Sequence, residues 1–324
     1  MSKLVISLAT RGRPERLIDT ITKSYANWIH PNTVMDVQLD EDDPTLSQAL
    51  AMLDDLPGVK DNRILLNVKP REDTLAEKWN RALAIHADVY LVAADDDPYI
   101  VPGYDKLILD ASKRFPDEIG IVYGHLANLS FTGAVAPTRK FCELMGGIIF
   151  PPLFPYWFVD HWTDDVAKII GRISFANIHT DQSRPGVTQE MREPGWWATF
   201  FDAAYLMRRK QAHDIINNKY FECPSWQKNL LLANHPLVEV RSRMINQNVR
   251  VQSKQLSQWA GNLPPDDRYM RVKNRAIAMI PILLGNYGMP ESEQAMFAKA
   301  LGYQGPFAGE FWPGMNTLLR TAAE

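Results

Sequence analysis

The chain has 324 residues, 46% of them apolar and 23% charged, values ordinary for a globular protein with a sizeable core. That composition excludes a disordered or fibrous chain. With 35 Lys and Arg against 38 Asp and Glu, the net charge is −3, which argues against a broad basic face for nucleic acid.

In chain order, Leu4 to Leu8 is a short apolar run of the kind a buried strand shows, and Pro14 to Trp28 carries helical spacing at Leu17, Ile18, Ile21 and Tyr25. Val34 to Leu39 reads as a second strand ending in the acidic cluster Asp40-Glu41-Asp42-Asp43. A helix over Thr45 to Leu56 is closed by Pro57-Gly58. Arg63 to Val68 is a third strand, Thr74 to His86 a third helix, and Val89 to Ala94 a fourth strand ending in Asp95-Asp96-Asp97. Strand and helix alternating through short joins predict an α/β protein with a mostly parallel sheet covered on both faces.

Further on, Tyr104 to Phe115 reads as a helix and Ile119 to Tyr123 as a strand. Pro137 to Trp162 is irregular and rich in Pro and aromatics. A helix is expected to begin at Asp164, where its dipole favours negative charge, followed by a strand over Arg172 to Ile178. Helical spacing dominates past residue 200, so the expected division is 1–235 for the α/β domain and 236–324 for a helical appendage. The two cysteines, Cys142 and Cys223, lack metal-type spacing, and the apolar stretches are too short or too Pro-interrupted to span a membrane. A cytoplasmic protein is the expectation.

In an open parallel sheet, ligands bind beyond the carboxyl ends of the strands. Those ends carry Thr10-Arg11-Gly12-Arg13, the acidic cluster at 40–43, Lys69-Pro70-Arg71 and Asp95-Asp96-Asp97. A divalent cation held by carboxylates, facing a diphosphate gripped by Arg and Lys, accounts for both signs of charge. If the backbone stays extended, Asp95 and Asp97 point the same way and share the cation, while Asp96 points the other way. The alternative is a solvated acidic loop. The aromatic stretch Phe150 to Phe158 with Trp162 suits a sugar ring or a base, or else packs as a rigid loop. Trp196-Trp197 reads as a lid over a ligand or as core.

On these motifs the chain resembles the GT-A glycosyltransferases, and in particular the inverting family 2 group. Asp95-Asp96-Asp97 is similar to the Asp-x-Asp motif after their fourth strand, and Val5 to Arg13 to their first strand and turn. The resemblance implies a GT-A (Rossmann-like) sheet, a nucleotide diphosphate sugar donor linked to UDP or GDP, and Mn²⁺ or Mg²⁺ as cofactor. It places Thr10, Arg11, Arg13, Asp95 and Asp96 around the donor, with Asp40 or Asp42 on the base or ribose and Asn80 near the diphosphate. Trp79 stands where that group commonly has Arg, so Lys78 or Arg71 takes the phosphate contact instead. Metal ligands implied are Asp95 and Asp97, completed by His179.

Thr163-Asp164-Asp165-Val166 through Arg172 is similar to the family's acidic pair, which makes Asp165 the general base, with Asp164 as its partner and Asp160 as a rival. A carboxylate is needed there because an acceptor hydroxyl is a poor nucleophile until its proton is taken. The acceptor is not identified by any motif. Two other functions compete: a sugar-phosphate nucleotidyltransferase, disfavoured because the Gly-rich triphosphate loop is missing, and a non-catalytic carbohydrate-binding protein of the same fold.

Overall fold

The computed structural model describes residues 3–124, 133–155, 158–181, 192–233, 235–240, 242–243, 266–285 and 289–307. By internal contacts the chain divides into two compact units, Met1–Ile149 with Arg172–Val187, and Phe150–Gly171 with Thr188–Glu324. The division expected near residue 235 falls inside the second unit.

In the first unit, strands β1 (Leu4–Ala9), β2 (Thr33–Asp40), β3 (Ile64–Lys69) and β4 (Val89–Ala94) form a parallel sheet in the order β3-β2-β1-β4. Helix α1 (Pro14–Ala26) starts on a proline, whose missing N–H would have had no partner at that position anyway. Helices α2 (Leu46–Asp54), α3 (Pro57–Lys60) and α4 (Leu75–Asn80) follow, α4 opened by a capping box between Thr74 and Glu77. A 3₁₀ turn over Arg81–Ala84 continues α4, and α5 (Tyr104–Ser112) follows β4. The expected third helix is therefore a six-residue α-helix continued by a 3₁₀ turn, not one continuous α-helix.

Alternation along these strands gives the sheet two unlike faces. Leu4, Ile6, Leu8, Met35, Val37, Leu39 and Leu91 join Leu17, Ile21, Leu53 and Ile108 in one apolar core. The opposite face carries the buried polar residues Ser7, Asp36, Gln38 and Asp40. Register brings Ala9 level with Gln38 and with Ala94, and Asp40 level with Lys69. The segments that leave β1, β2, β3 and β4 thus share one rim.

A second sheet in this unit has the order β6-β5-β7, with β5 (Ile121–Gly124) antiparallel to β6 (Gly133–Pro137) and parallel to β7 (Ile173–Phe175). The expected strand over 172–178 is thus shorter, because only three residues pair. Helix α6 (Arg139–Leu144), capped by Thr138, occupies part of the stretch read as irregular.

Among the described residues the second unit is helical. It holds α7 (Val159–Ile169), α8 (Pro194–Ala203) and α9 (Tyr205–Ile216), helical residues 225–233 and 235–240, and helices Asp267–Gly285 and Glu291–Leu301. Phe154 is surrounded by aromatic rings, with the centroids of Phe158, Trp162, Trp197, Phe200 and Phe201 5.6–6.2 Å away. Phe150, Phe154, Phe158, Trp162 and Trp197 are all buried. The aromatic stretch is therefore core, not a sugar platform, for the residues described; Tyr156 and Trp157 lie outside them. No helix among the described residues is long and apolar enough to cross a membrane.

Candidate active site

The rim of the parallel sheet gathers the residues expected to hold the donor. Thr10, buried at the end of β1, donates its hydroxyl to Asp95 Oδ2 at 2.7 Å, and Arg13 approaches Asp95 Oδ1 at 3.1 Å and Asp96 Oδ2 at 3.4 Å. From α1, Thr20 donates to the Asp95 carbonyl at 2.8 Å. Asp95 is therefore held at three points. The backbone turns at Asp95 and Asp96 instead of staying extended, so the expected alternation of the triplet fails and Arg13 reaches both residues.

Asp97 is the exception in this cluster. It is half-buried, and among the described residues it has neither a hydrogen bond nor an ion pair. Burial, then the charges of Asp96 and Asp95, push its carboxyl up to about 6. Burial also raises Asp95, against the opposing effects of Thr10 and Arg13. Both shifts come from burying charge next to like charge.

Beside it lies a chain of ion pairs. Arg11 is clamped by Asp42 at 2.7 Å and Asp40 at 3.2 Å, and the buried Lys78 sits 2.8 Å from Asp40 Oδ1. Lys78 also donates to the Thr10 carbonyl at 2.7 Å. Burial lowers the Lys78 ammonium in spite of Asp40. Both Asp40 and Asp42 thus reach the same arginine. Asp43 ties the rim together, accepting the Gly12 N–H at 2.8 Å and the Thr45 N–H and hydroxyl at 2.8 Å each. Gly12 has φ +69°, a left-handed conformation that suits glycine.

Other expected donor residues stand further along. Asn80 Oδ1 accepts the Ile149 N–H at 2.8 Å, so its side chain fixes a backbone. Arg71 is partly buried in the loop after β3. His179 is exposed, and its carbonyl accepts the Ile100 N–H at 3.4 Å, which ties its segment to the chain just after Asp97. Among the described residues, no three His, Cys, Asp or Glu side chains are gathered as a ready cation site.

The second acidic run lies on α7, in the second unit. The helix begins at Val159, five residues before the expected start, so Asp164 and Asp165 lie inside it and Asp160 occupies its first turn. Phe158, just before, has φ +77°, a strained conformation for a bulky side chain. Asp165 Oδ2 accepts from Arg208 Nε at 2.9 Å and Ser242 Oγ at 2.8 Å, and Arg208 is fully buried, 3.7 Å above the Phe201 ring centroid. Burial raises the Asp165 carboxyl while Arg208 opposes the rise. Asp164 pairs with Lys168 one turn on.

Asp160 differs from both. Its side chain is 35% exposed, and its Oδ1 accepts from the His161 N–H at 2.9 Å and lies 3.0 Å from His161 Nδ1. Against burial, the His161 charge and these hydrogen bonds hold the carboxyl below its usual range. Sequence reading overlooked Thr20, His161, Arg208 and Ser242. The His beside an Asp at a helix start was a visible signal; Arg208, 43 residues from Asp165, gave none.

No protein-family profile matches this chain, and no curated protein matches it in sequence. Its structure is similar to that of S. aureus TarS 1–349 in complex with UDP-GlcNAc, at 12% identity over 99% of this chain and 90% of that one, with a TM-score of 0.51. TarS 1–349 in a second crystal structure gives 12% identity, the same coverage and a TM-score of 0.48. The mannosyltransferase PcManGT of Pyrobaculum calidifontis, in complex with GDP-Man and Mn²⁺, gives 14% identity over 99% of this chain and 86% of that one, with a TM-score of 0.43. The fold is of the GT-A type: a parallel sheet of four strands flanked by helices, followed by a helical region.

Proposed function

We propose that this chain is a divalent-metal-dependent glycosyltransferase that moves a sugar from a UDP- or GDP-linked donor to an acceptor hydroxyl. One observation carries the reading: Asp97, half-buried at the strand-end rim, has no cationic partner among the described residues while its neighbours are all paired. Hard carboxylate oxygens from Asp97, with Asp96 or Asp95 beside it, suit Mn²⁺ or Mg²⁺, leaving further positions for phosphate oxygens and water. His179 is the further ligand to test. When bound, the cation would neutralise charge on the departing nucleoside diphosphate.

The protein's own groups do the rest. Arg13 now rests on Asp95 and Asp96, and Arg11 on Asp40 and Asp42. Each guanidinium faces the rim and is partly exposed, so an incoming diphosphate competes for it with the aspartates. Lys78 stabilises the Thr10 carbonyl and Asp40, which keeps the first turn in shape under the nucleotide. Of the three carboxylates on α7, we assign the base to Asp160. Asp165 is sealed by Arg208 and Ser242, and Asp164 by Lys168, whereas Asp160 is the most exposed and is ionised at neutral pH. A single displacement by one base-activated hydroxyl inverts the sugar carbon.

Calorimetry with UDP and GDP, with and without Mn²⁺ or Mg²⁺, tests this directly. One nucleoside diphosphate should bind only with the metal, and Asp97→Ala should weaken that binding roughly ten-fold or more, as loss of a charge-assisted contact does. Equal binding with and without metal, or an unaffected Asp97→Ala variant, refutes the metal site.

A further inference from the structure

The helical residues 225–233 and 235–240 of the second unit turn an unusual face to solvent. Trp226 is 69% exposed, Leu230 60%, Leu237 71% and Val240 58%, and Tyr220 just ahead of them is 60% exposed. Trp226 and Leu230 are one turn apart, and so are Leu237 and Val240. Among the described residues from Pro224 to Val240, the exposed positions are Pro, Ser, Trp, Asn, Leu, Ala, Pro, Leu and Val, with no charge among them. Leu231 turns the other way, against Gly171. A water-soluble helix ordinarily does the reverse, burying its apolar stripe and exposing charge.

We propose that this face docks on an anionic lipid surface, lying in the interface without crossing it. Three observations favour that occupant over a second copy of the chain. First, the patch is small: stable protein interfaces engage about 20–30 residues a side, about two to three times the nine exposed positions of these two stretches. Second, its leading end has the residues that settle at lipid headgroups, with Lys219 Nζ 4.9 Å from the Tyr220 ring centroid and Trp226 beyond it. Third, the charge is complementary. Among the described residues of this stretch, Arg243 is taken up by Glu239 and Glu293, which leaves Lys219 and Lys228 against the exposed Glu222, in a chain whose net charge is −3. Lys219 is exposed and Lys228 partly so, placing cations beside the apolar face where an anionic headgroup layer would meet them.

Co-sedimentation of the full chain with vesicles tests the proposal. Vesicles of phosphatidylcholine with a third phosphatidylserine should carry the protein down, and pure phosphatidylcholine should carry down much less. The paired substitution Trp226→Glu with Leu237→Glu should lower the bound fraction by about ten-fold or more, since two exposed apolar anchors become charged. Both sites are exposed, so circular dichroism and thermal melting should be unchanged; Lys219→Gln with Lys228→Gln should reduce binding to the anionic vesicles only. The proposal fails if wild-type protein stays in the supernatant, or if the Glu pair sediments like wild type. It fails equally if sedimentation velocity without lipid shows a dimer that the Glu pair dissolves, which would make the face a contact between copies.

Discussion

Two short acidic runs, similar in sequence, end in opposite electrostatic states. At residues 95–97 the carboxylates outnumber their partners: Arg13 serves Asp95 and Asp96, and Asp97 is left with neither hydrogen bond nor ion pair among the described residues. At residues 160–165 every carboxylate has its own basic partner, Asp160 the His161 imidazole, Asp164 Lys168 and Asp165 Arg208. The first run has a deficit of positive charge that a metal ion would fill. The second has none, and differs internally only in how far each carboxylate is sealed. An acidic cluster is therefore read by its counter-charges and not by its spacing.

The largest expected effect separates base from scaffold inside the second run. Asp160→Asn should lose about 10²–10⁴-fold in turnover and keep nucleotide binding, the range for loss of a general base. Wild-type turnover in that variant, with loss in Asp165→Asn instead, would return the role to Asp165.

Next comes stability. Arg208→Ala removes the fully buried partner of Asp165 and should cost about 3–5 kcal/mol in urea unfolding, because the carboxylate is left unpaired. Combining it with Asp165→Asn should recover part of that loss. Additive losses would mean that the two residues do not act as a pair.

A carboxylate outside both runs calibrates the argument. Asp36, buried in β2 beside Gln38, is pushed up to about 6 by burial, against hydrogen bonds from Asn67 and Gln38 and the Arg81 charge. Its folded value lies above the unfolded one, so the ionised form disfavours folding. That penalty is absent below pH 4, grows as pH rises toward 6 and is complete above it. Asp36→Asn should therefore raise stability at pH 7.5 by up to about 3 kcal/mol and leave it nearly unchanged at pH 4, measured by denaturant titration at both values. An equal gain at both would mean that burial of charge is not the cause.

The smallest effect concerns Arg11. Its pairs with Asp40 and Asp42 are partly exposed, so Arg11→Ala should change folding stability by no more than about 1 kcal/mol. Its cost should fall on nucleotide binding instead, roughly ten-fold in calorimetry. A large stability loss with unchanged binding would make Arg11 a scaffold residue like Arg208.

Much of the first unit could be read from the residues alone. The runs Leu4–Leu8, Val34–Leu39, Arg63–Val68 and Val89–Ala94 each match a strand of the parallel sheet to within a residue or two, because a strand buried on at least one face must be apolar and short. Their order also placed the charged loops on one rim, since parallel strands in a sheet end on the same side. What the chain could not reveal by itself was which charges meet. Arg13 with Asp95, Lys78 with Asp40 and Arg208 with Asp165 are brought together across 82, 38 and 43 positions by packing, and no local pattern records that. The start of α7 was misplaced for a related reason: Phe158 adopts a left-handed backbone that its side chain disfavours, and the buried aromatic cluster around Phe154 outweighs that local preference. Sequence determined the sheet, its rim and the residue types gathered there. Tertiary structure decided which carboxylate lacks a counter-charge, because pairing depends on distances that only the folded backbone sets.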